Sequence, residues 1–514
     1  MDVCVTIKSS QQRKRTLLEK SVILRDGESI FEALMRQAYI PLSFCGGKGM
    51  CGLCRIQYLT PAPIPKAEER KFFTPEELRN GMRLACLAYP KTDCEIVPVY
   101  IEESKLEKNK LEEENARNIV AVYNIDQWNR KAPDRISQII AVDLGTTTIA
   151  LQRIHTGNDQ VLCEKRIMNP QRAWGADVIS RMDASIHGKR EELHEMTIGA
   201  IENAIDEMLQ GDIQNREGFS DELHEDKKEN HDINVIIAGN TVMLHILLGL
   251  DMTSLSVYPF QPVTLQQATM TIGKYKATLM PGISAFVGAD ITAGIYALQM
   301  YHRCQKTEQE KVNILLDLGT NGEIVMGNTY RMLTTATAAG PAFEGRSMGR
   351  WTGSDLISIV ADLLDAGLVD ETGLLQEPYF TNGYEIQGVK VTQEDIRALQ
   401  MAKAAIHAGI EILMENMQVT VDKVEHVYLA GGFGYFLDVG KADRIGLLPR
   451  GLRSRTAAVG NTSLLGAYLY GKVQKSDEIA PPEEVTGMLA HIETINLATQ
   501  KTFEEKYIKA MDFS

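Results

Sequence analysis

The chain runs to 514 residues, 44% hydrophobic and 24% charged, with a formal net charge of -14 at pH 7. One hydrophobic core cannot serve that length, so two to four domains are expected. The acidic balance argues against a nucleic-acid partner, and no stretch offers the roughly 18 consecutive apolar residues of a membrane helix. Met1 to Ser10 lacks the basic and apolar regions of a secretory signal, which points to the cytoplasm.

In chain order, residues 1–98 alternate apolar and polar positions in short runs, as in Val3-Cys4-Val5-Thr6-Ile7 and Glu95-Ile96-Val97-Pro98-Val99, around one helical stretch from Ser29 to Gln37. This is the pattern of a small α+β domain. Six of the eight cysteines fall inside it, and in a reducing compartment such clustering favours metal or redox chemistry over disulfides. The run Phe44-Cys45-Gly46-Gly47-Lys48-Gly49-Met50-Cys51-Gly52-Leu53-Cys54, with Cys86 far downstream, sets three close cysteines against one remote one. Zinc usually draws two separated pairs, so the spacing points to a 2Fe-2S cluster on Cys45, Cys51, Cys54 and Cys86. The first gap is one residue longer than in plant-type ferredoxins, a variant met in adrenodoxin-like members of the same fold. The loop glycines would let backbone amides approach the sulfurs. The glycine-lysine run lacks the P-loop order, and Cys4 and Cys94 sit in strand-like segments as core residues.

Residues 99–136 are rich in Glu, Lys, Asn and Arg and read as a linker. Residues 137–473 begin a different pattern. Ile139-Ile140-Ala141-Val142 leads into Asp143-Leu144-Gly145-Thr146-Thr147 and a second strand, and the same order returns at Ile314, with Asp317-Leu318-Gly319-Thr320-Asn321 and then Glu323-Ile324-Val325. In such a turn the carboxylate holds a hydrated Mg²⁺, the glycine lets phosphate approach, and amides with threonine hydroxyls cradle the phosphates. Two copies imply two related lobes. Gly211 to Asp232 reads as a polar surface insertion. Val424 to Ala430 is a strand that runs into Gly431-Gly432-Phe433-Gly434, where missing side chains leave room for a nucleoside. His245, alone on an apolar helix, reads as structural. Residues 474–514 form a tail to which no chemistry is assigned.

In this order the three elements resemble the phosphate 1, phosphate 2 and adenosine motifs of the superfamily of actin, sugar kinases and heat-shock chaperones. The resemblance implies an α/β, two-lobed, RNase-H-like ATPase closing on ATP. It puts Asp143, Gly145, Thr146 and Thr147 on phosphate and Mg²⁺, with Asp317, Gly319, Thr320 and Asn321 opposing them and Gly431 and Gly432 at the adenosine. Asp143, Asp317 and Glu323 are the expected catalytic carboxylates.

An N-terminal ferredoxin-like (β-grasp) 2Fe-2S domain fused to this ATPase is similar to the reductive activators of corrinoid proteins. Further segments agree with that family: Asn169-Pro170-Gln171, Trp174 to Arg181, Ala238-Gly239-Asn240-Thr241, Phe286 to Asp290, Ala338 to Gly345, and Asp395 to Ala405. The resemblance implies that one electron passes from the cluster to a Co(II) corrinoid, regenerating Co(I) at the cost of ATP. The implied partners are a corrinoid protein of a methyltransferase system and an upstream electron donor, with a homodimer left open. Thr334-Thr335-Ala336-Thr337 departs from relatives that often carry cysteine and serine, which puts a polar role for that segment in doubt. Three alternatives stand beside this reading. A donor to a radical dehydratase or ring reductase would carry its cluster cysteines in the ATPase domain, where only Cys163 and Cys304 occur. A redox-sensing adaptor would use ATP only for conformation. A small-molecule kinase would take its base from Asp143, Asp290, Asp317 or Glu323.

Overall fold

The computed structural model describes residues 3–8, 20–25, 27–36, 54–98, 138–175, 177–214, 233–301, 311–319, 321–337, 339, 353–386, 389–431, 437–474 and 480–513. The expectations for Cys45, Cys51, Thr320, Gly432 and the 99–136 linker lie outside these residues. Contacts divide the chain into two compact units, one holding the described residues up to Pro98 and the other those from Gln138 onward.

In the first unit, β1 (Val3–Ile7), β2 (Lys20–Leu24), β3 (Arg55–Tyr58), β4 (Met82–Leu84) and β5 (Cys94–Pro98) form a mixed sheet in the order β2-β1-β5-β3-β4. Only β1 and β5 are parallel; the other neighbours run antiparallel. On β1 the side chains of Val3, Val5 and Ile7 go inward while Cys4 and Thr6 stay at the edge of solvent, the period-2 pattern of a sheet with one covered face. Ile30 and Leu34, one turn apart on the helix Ile30–Arg36, close the core over that face. Arg83 and Glu69 are buried beside it. Arg83 donates to the carbonyls of Pro63, Leu78 and Met82, and Glu69 accepts from the Leu84 amide at 2.8 Å, so the loop before β4 is pinned beneath the hairpin.

The second unit contains two sheets of related design. In the first, β6 (Gln138–Leu144), β7 (Thr148–His155) and β8 (Gln160–Met168) make an antiparallel meander, with β9 (Ile233–Gly239) parallel to β6 and β10 (Ala268–Ile272) and β11 (Tyr275–Leu279) beyond it. In the second, β12 (Val312–Leu318), β13 (Gly322–Gly327) and β14 (Met332–Thr337) repeat the meander. A ribbon of β15 (Tyr384–Ile386) and β16 (Val389–Val391) follows, and then β17 (Val424–Ala430) lies parallel to β12, with β18 (Thr456–Gly460) beside it. Strands β6, β9 and β12 read as near-continuous apolar runs because helices cover both faces of their sheets.

The lobes are joined reciprocally. The helix Thr462–Val473 leaves β18 of the second sheet and packs on β6 and β9 of the first, while the helix Ala289–Ala297 lies against it and reaches β12. Their approach is so close that a Cβ on Gly466 would lie 2.0 Å from the Ala293 carbonyl. The segment after Val473, set apart in the sequence, contributes β19 (Ile492–Thr494), which pairs in parallel with β14, and Phe513, which is fully buried. No helix among the described residues is long and apolar enough to cross a membrane.

Candidate functional site: a carboxylate-lined cleft and a pair of thiols

The internal duplication fixes the cleft. Asp143, next to last on β6, is flanked by Ala150 of β7 and Ala238 of β9. Asp317, next to last on β12, is flanked by Glu323 of β13 and Ala430 of β17. The end of each parallel strand has a glycine, the last residue of β9 and the first after β17, whose absent side chain permits the same close approach. A Cβ on Gly239 would lie 2.8 Å from the Leu144 carbonyl, and one on Gly431 would lie 2.7 Å from that of Leu318 and 2.6 Å from Asp317 Oδ1. Gly431 also has φ +92°, a conformation costly to any residue with a side chain. Gly145 lies in the β6–β7 turn, where a Cβ would meet the Thr148 carbonyl at 2.6 Å, and Thr146 and Thr147 complete that turn, half-buried. Across from it, the Gly319 amide donates to the Asn321 carbonyl at 2.9 Å.

Four acids face one another in this cleft. Burial raises the pKa of Asp143, against the pull of its hydrogen bonds to Asn461 and Ser463. Burial, reinforced by the charge on Asp143, lifts Asp290 to about 7. Burial together with Asp290 and Asp143 lifts Asp317 to about 8, and Glu323 is pushed well up by burial and by the charges of Asp290 and Asp317. Carboxylates from both lobes therefore disfavour one another's ionised forms, the electrostatic signature of a space suited to a cation. Among the described residues no three His, Cys, Asp or Glu side chains close on one point as direct ligands.

Two residues that the sequence did not single out hold Asp143. Asn461 donates from Nδ2 to Oδ2 at 2.7 Å, and the Ser463 hydroxyl donates to Oδ1 at 3.0 Å. Asn461 also caps the helix Thr462–Val473 by accepting from the Leu464 amide, so the helix that bridges the lobes carries the clamp on the first acid. Asp290, which ends the Phe286–Asp290 segment of the family resemblance and was an alternative kinase base, sits in the first turn of the helix Ala289–Ala297 and accepts from the Ile291 amide at 2.9 Å, where the helix dipole favours its charge. His245 is structural as read: its Nδ1 bonds the Thr241 carbonyl, its Nε2 accepts from the Val263 amide, and burial lowers its pKa. The hydroxyls of Thr334, Thr335 and Thr337 are spent on the carbonyls of Ile324, Ile495 and Gly322, which leaves them holding strands together.

In the first unit the register Arg55↔Leu84 places Cys54 immediately before β3 and Cys86 two residues past β4, and the Ala85 amide donates to the Cys54 carbonyl at 2.7 Å. The sulfurs of Cys54 and Cys86 lie 3.3 Å apart, both buried, without a disulfide between them. Metal–thiolate bonds of about 2.3 Å in a tetrahedron separate ligand sulfurs by roughly 3.7 Å, so this pair fits two ligands of one iron. Cys4 and Cys94 lie on neighbouring strands. Cys94 is buried, and burial lifts its thiol to about 11, as suits a core residue.

Three family models cover most of the chain. Residues 17–91 match the 2Fe-2S iron-sulfur cluster binding domain, residues 139–303 the RACo middle region, and residues 311–351 and 349–514 the C-terminal domain of RACo, the ASKHA domain. The chain belongs to the RACo family. This RACo-family protein is 28% identical over 433 residues to the corrinoid activation enzyme RamQ of Eubacterium limosum, covering 72% of this chain and 69% of that one. It is 22% identical over 451 residues to the [Co(II) methylated amine-specific corrinoid protein] reductase of Methanosarcina barkeri, covering 73% and 76%. Its fold is that of the reductive activator for corrinoid, iron-sulfur protein, with a TM-score of 0.61 at 22% identity over 99% and 98% of the two chains. A β-grasp unit followed by a two-lobed ASKHA ATPase is thus the architecture of the RACo-family chain.

Proposed function

We propose that this protein is an ATP-dependent reductive activator that returns a corrinoid protein of a methyltransferase system from Co(II) to Co(I). The observation that carries this reading is the joining, on one chain, of a buried thiol pair in a 2Fe-2S-type unit to a two-lobed cleft lined by four acids. Cys45, Cys51, Cys54 and Cys86 would hold a 2Fe-2S cluster, which when bound supplies one electron at a time. Asp143 and Asp317, with Asp290 and Glu323, would hold a hydrated Mg²⁺ against the phosphates of ATP. The backbone of Gly145 to Thr147 and of Gly319 to Asn321 cradles those phosphates from opposite lobes, and Gly431 and Gly432 leave room for the nucleoside.

A gap of one to two hundred millivolts between donor and Co(II) costs roughly 2 to 5 kcal/mol. ATP can offset it only by binding two conformations of the protein with different affinity. Asn461 and Ser463 supply a physical route: the helix that clamps Asp143 is the one that bridges the lobes, so closure on nucleotide moves the bridge. The protein works in the cytoplasm, taking electrons from an upstream donor and passing them to the corrinoid partner. The test is ATP turnover with and without a purified Co(II) corrinoid protein. Stimulation supports an activator, and turnover indifferent to every corrinoid partner would leave a redox adaptor as the better reading.

A further inference from the structure

Behind the first phosphate turn lies a chain of fully buried polar side chains with no place in the chemistry described so far. Asn169, Gln171, Thr197 and Arg181 are each at most 1% exposed. Asn169 donates from Nδ2 to the Gly145 carbonyl at 2.9 Å, its own amide donates to the Thr147 carbonyl at 3.0 Å, and its Oδ1 accepts from the Gln171 amide at 3.1 Å. Gln171 in turn donates from Nε2 to the Leu193 carbonyl at 3.2 Å and to the Thr197 hydroxyl, both on the long helix Arg190–Gln214. Arg181 donates to Gln171 Oε1 at 3.4 Å and to the Gly175 carbonyl at 3.0 Å. Burying this many polar groups is tolerable only with partners, and once made, such a network holds each amide in a single orientation.

That orientation bears on the turn. In a trans peptide the carbonyl and the following N–H point in opposite directions. Fixing the Gly145 carbonyl toward Asn169, inside the lobe, therefore aims the Thr146 N–H outward, the side from which a phosphate arrives. We propose that Asn169, locked by Gln171 and Arg181, is the positioning residue of the phosphate turn and presets the Thr146 amide for the triphosphate. This rests on reading the cleft as an ATP site. The role is preorganisation: the amide is paid out in the correct direction before nucleotide binds.

The test compares two ligands on the full-length protein, ATP and adenosine, in Asn169→Asp and Thr197→Val. Asn169→Asp keeps the shape and the acceptor but replaces the donor to Gly145 with a second acceptor. Thr197→Val is isosteric and loosens Gln171 from the far end. ATP affinity by calorimetry is expected to fall tenfold or more in Asn169→Asp and two- to threefold in Thr197→Val, while adenosine affinity stays unchanged in both and the nucleotide-free Thr197→Val protein melts only a few degrees lower, still folded at the temperature of the titration. Loss of ATP and adenosine affinity in parallel, or no loss of either in Thr197→Val and Asn169→Asp alike, would overturn the positioning role. Failure of the wild-type protein to bind ATP would instead overturn the reading of the cleft.

Discussion

Cys86 and Asp317 separate the redox chemistry from the nucleotide chemistry. Replacing Cys86 with serine removes a sulfur 3.3 Å from that of Cys54. The expected outcome is loss of the visible absorption of the iron-sulfur centre, with basal ATP turnover retained. Asp317→Asn should do the reverse, lowering ATP turnover by about 100-fold, or roughly 2.7 kcal/mol of barrier, while the visible spectrum survives. Gly431→Ala tests the geometry between them: positive φ and a Cβ 2.6 Å from Asp317 Oδ1 should cost about 1 to 3 kcal/mol of stability in denaturant titration and weaken nucleotide binding. At this scale the sequence was legible wherever chemistry imposes a spacing, as at Asp143, Asp317 and Gly431. It was mute where a residue acts through ordinary vocabulary. Asn461 and Ser463 read as any helix cap, and only the fold brings them to Asp143 across more than three hundred residues. Asn169 lay in a segment flagged by resemblance alone, because a carboxamide that braces a turn leaves no periodic mark.

Strands β6, β7, β12 and β13 could be read from their apolar runs and the Asp-Leu-Gly-Thr turns between them. The last segment could not, since β19 is three residues, Ile492-Glu493-Thr494, with no pattern to distinguish it. What secures that segment is a buried lysine. Lys403, on the helix Gln393–Met417, donates to the Asp512 carbonyl and lies 5.2 Å from the centre of the Phe513 ring. Burial pulls its pKa down to about 8, against an ordinary value of 10.5. The folded chain therefore releases this proton near pH 8 and the unfolded chain only above 10, so between those values the unfolded state holds more protons and stability contributed by this residue rises with pH. Urea titrations of wild type and Lys403→Met across pH 7 to 10 should show the difference between them growing above pH 8; parallel curves would remove the buried charge as its cause. The bridging helix makes a separate prediction. Gly466→Ala forces a methyl against the Ala293 carbonyl, which should lower the melting temperature by several degrees and weaken ATP binding, because the same helix carries Asn461.

On the scale of the whole molecule, the proposed function has nucleotide chemistry in one unit lift an electron out of the other. Family models over residues 17–91, 139–303 and 311–514 give the architecture, and the cleft acids and thiol pair give it a chemical sense. The measurement that tests this most directly is anaerobic: reduce the protein, mix it with a Co(II) corrinoid protein, and follow the cobalt spectrum with ATP, with a non-hydrolysable analogue and without nucleotide. Co(I) should accumulate with ATP and remain at background without it. Equal Co(I) formation in the absence of nucleotide would contradict the coupling on which the account stands.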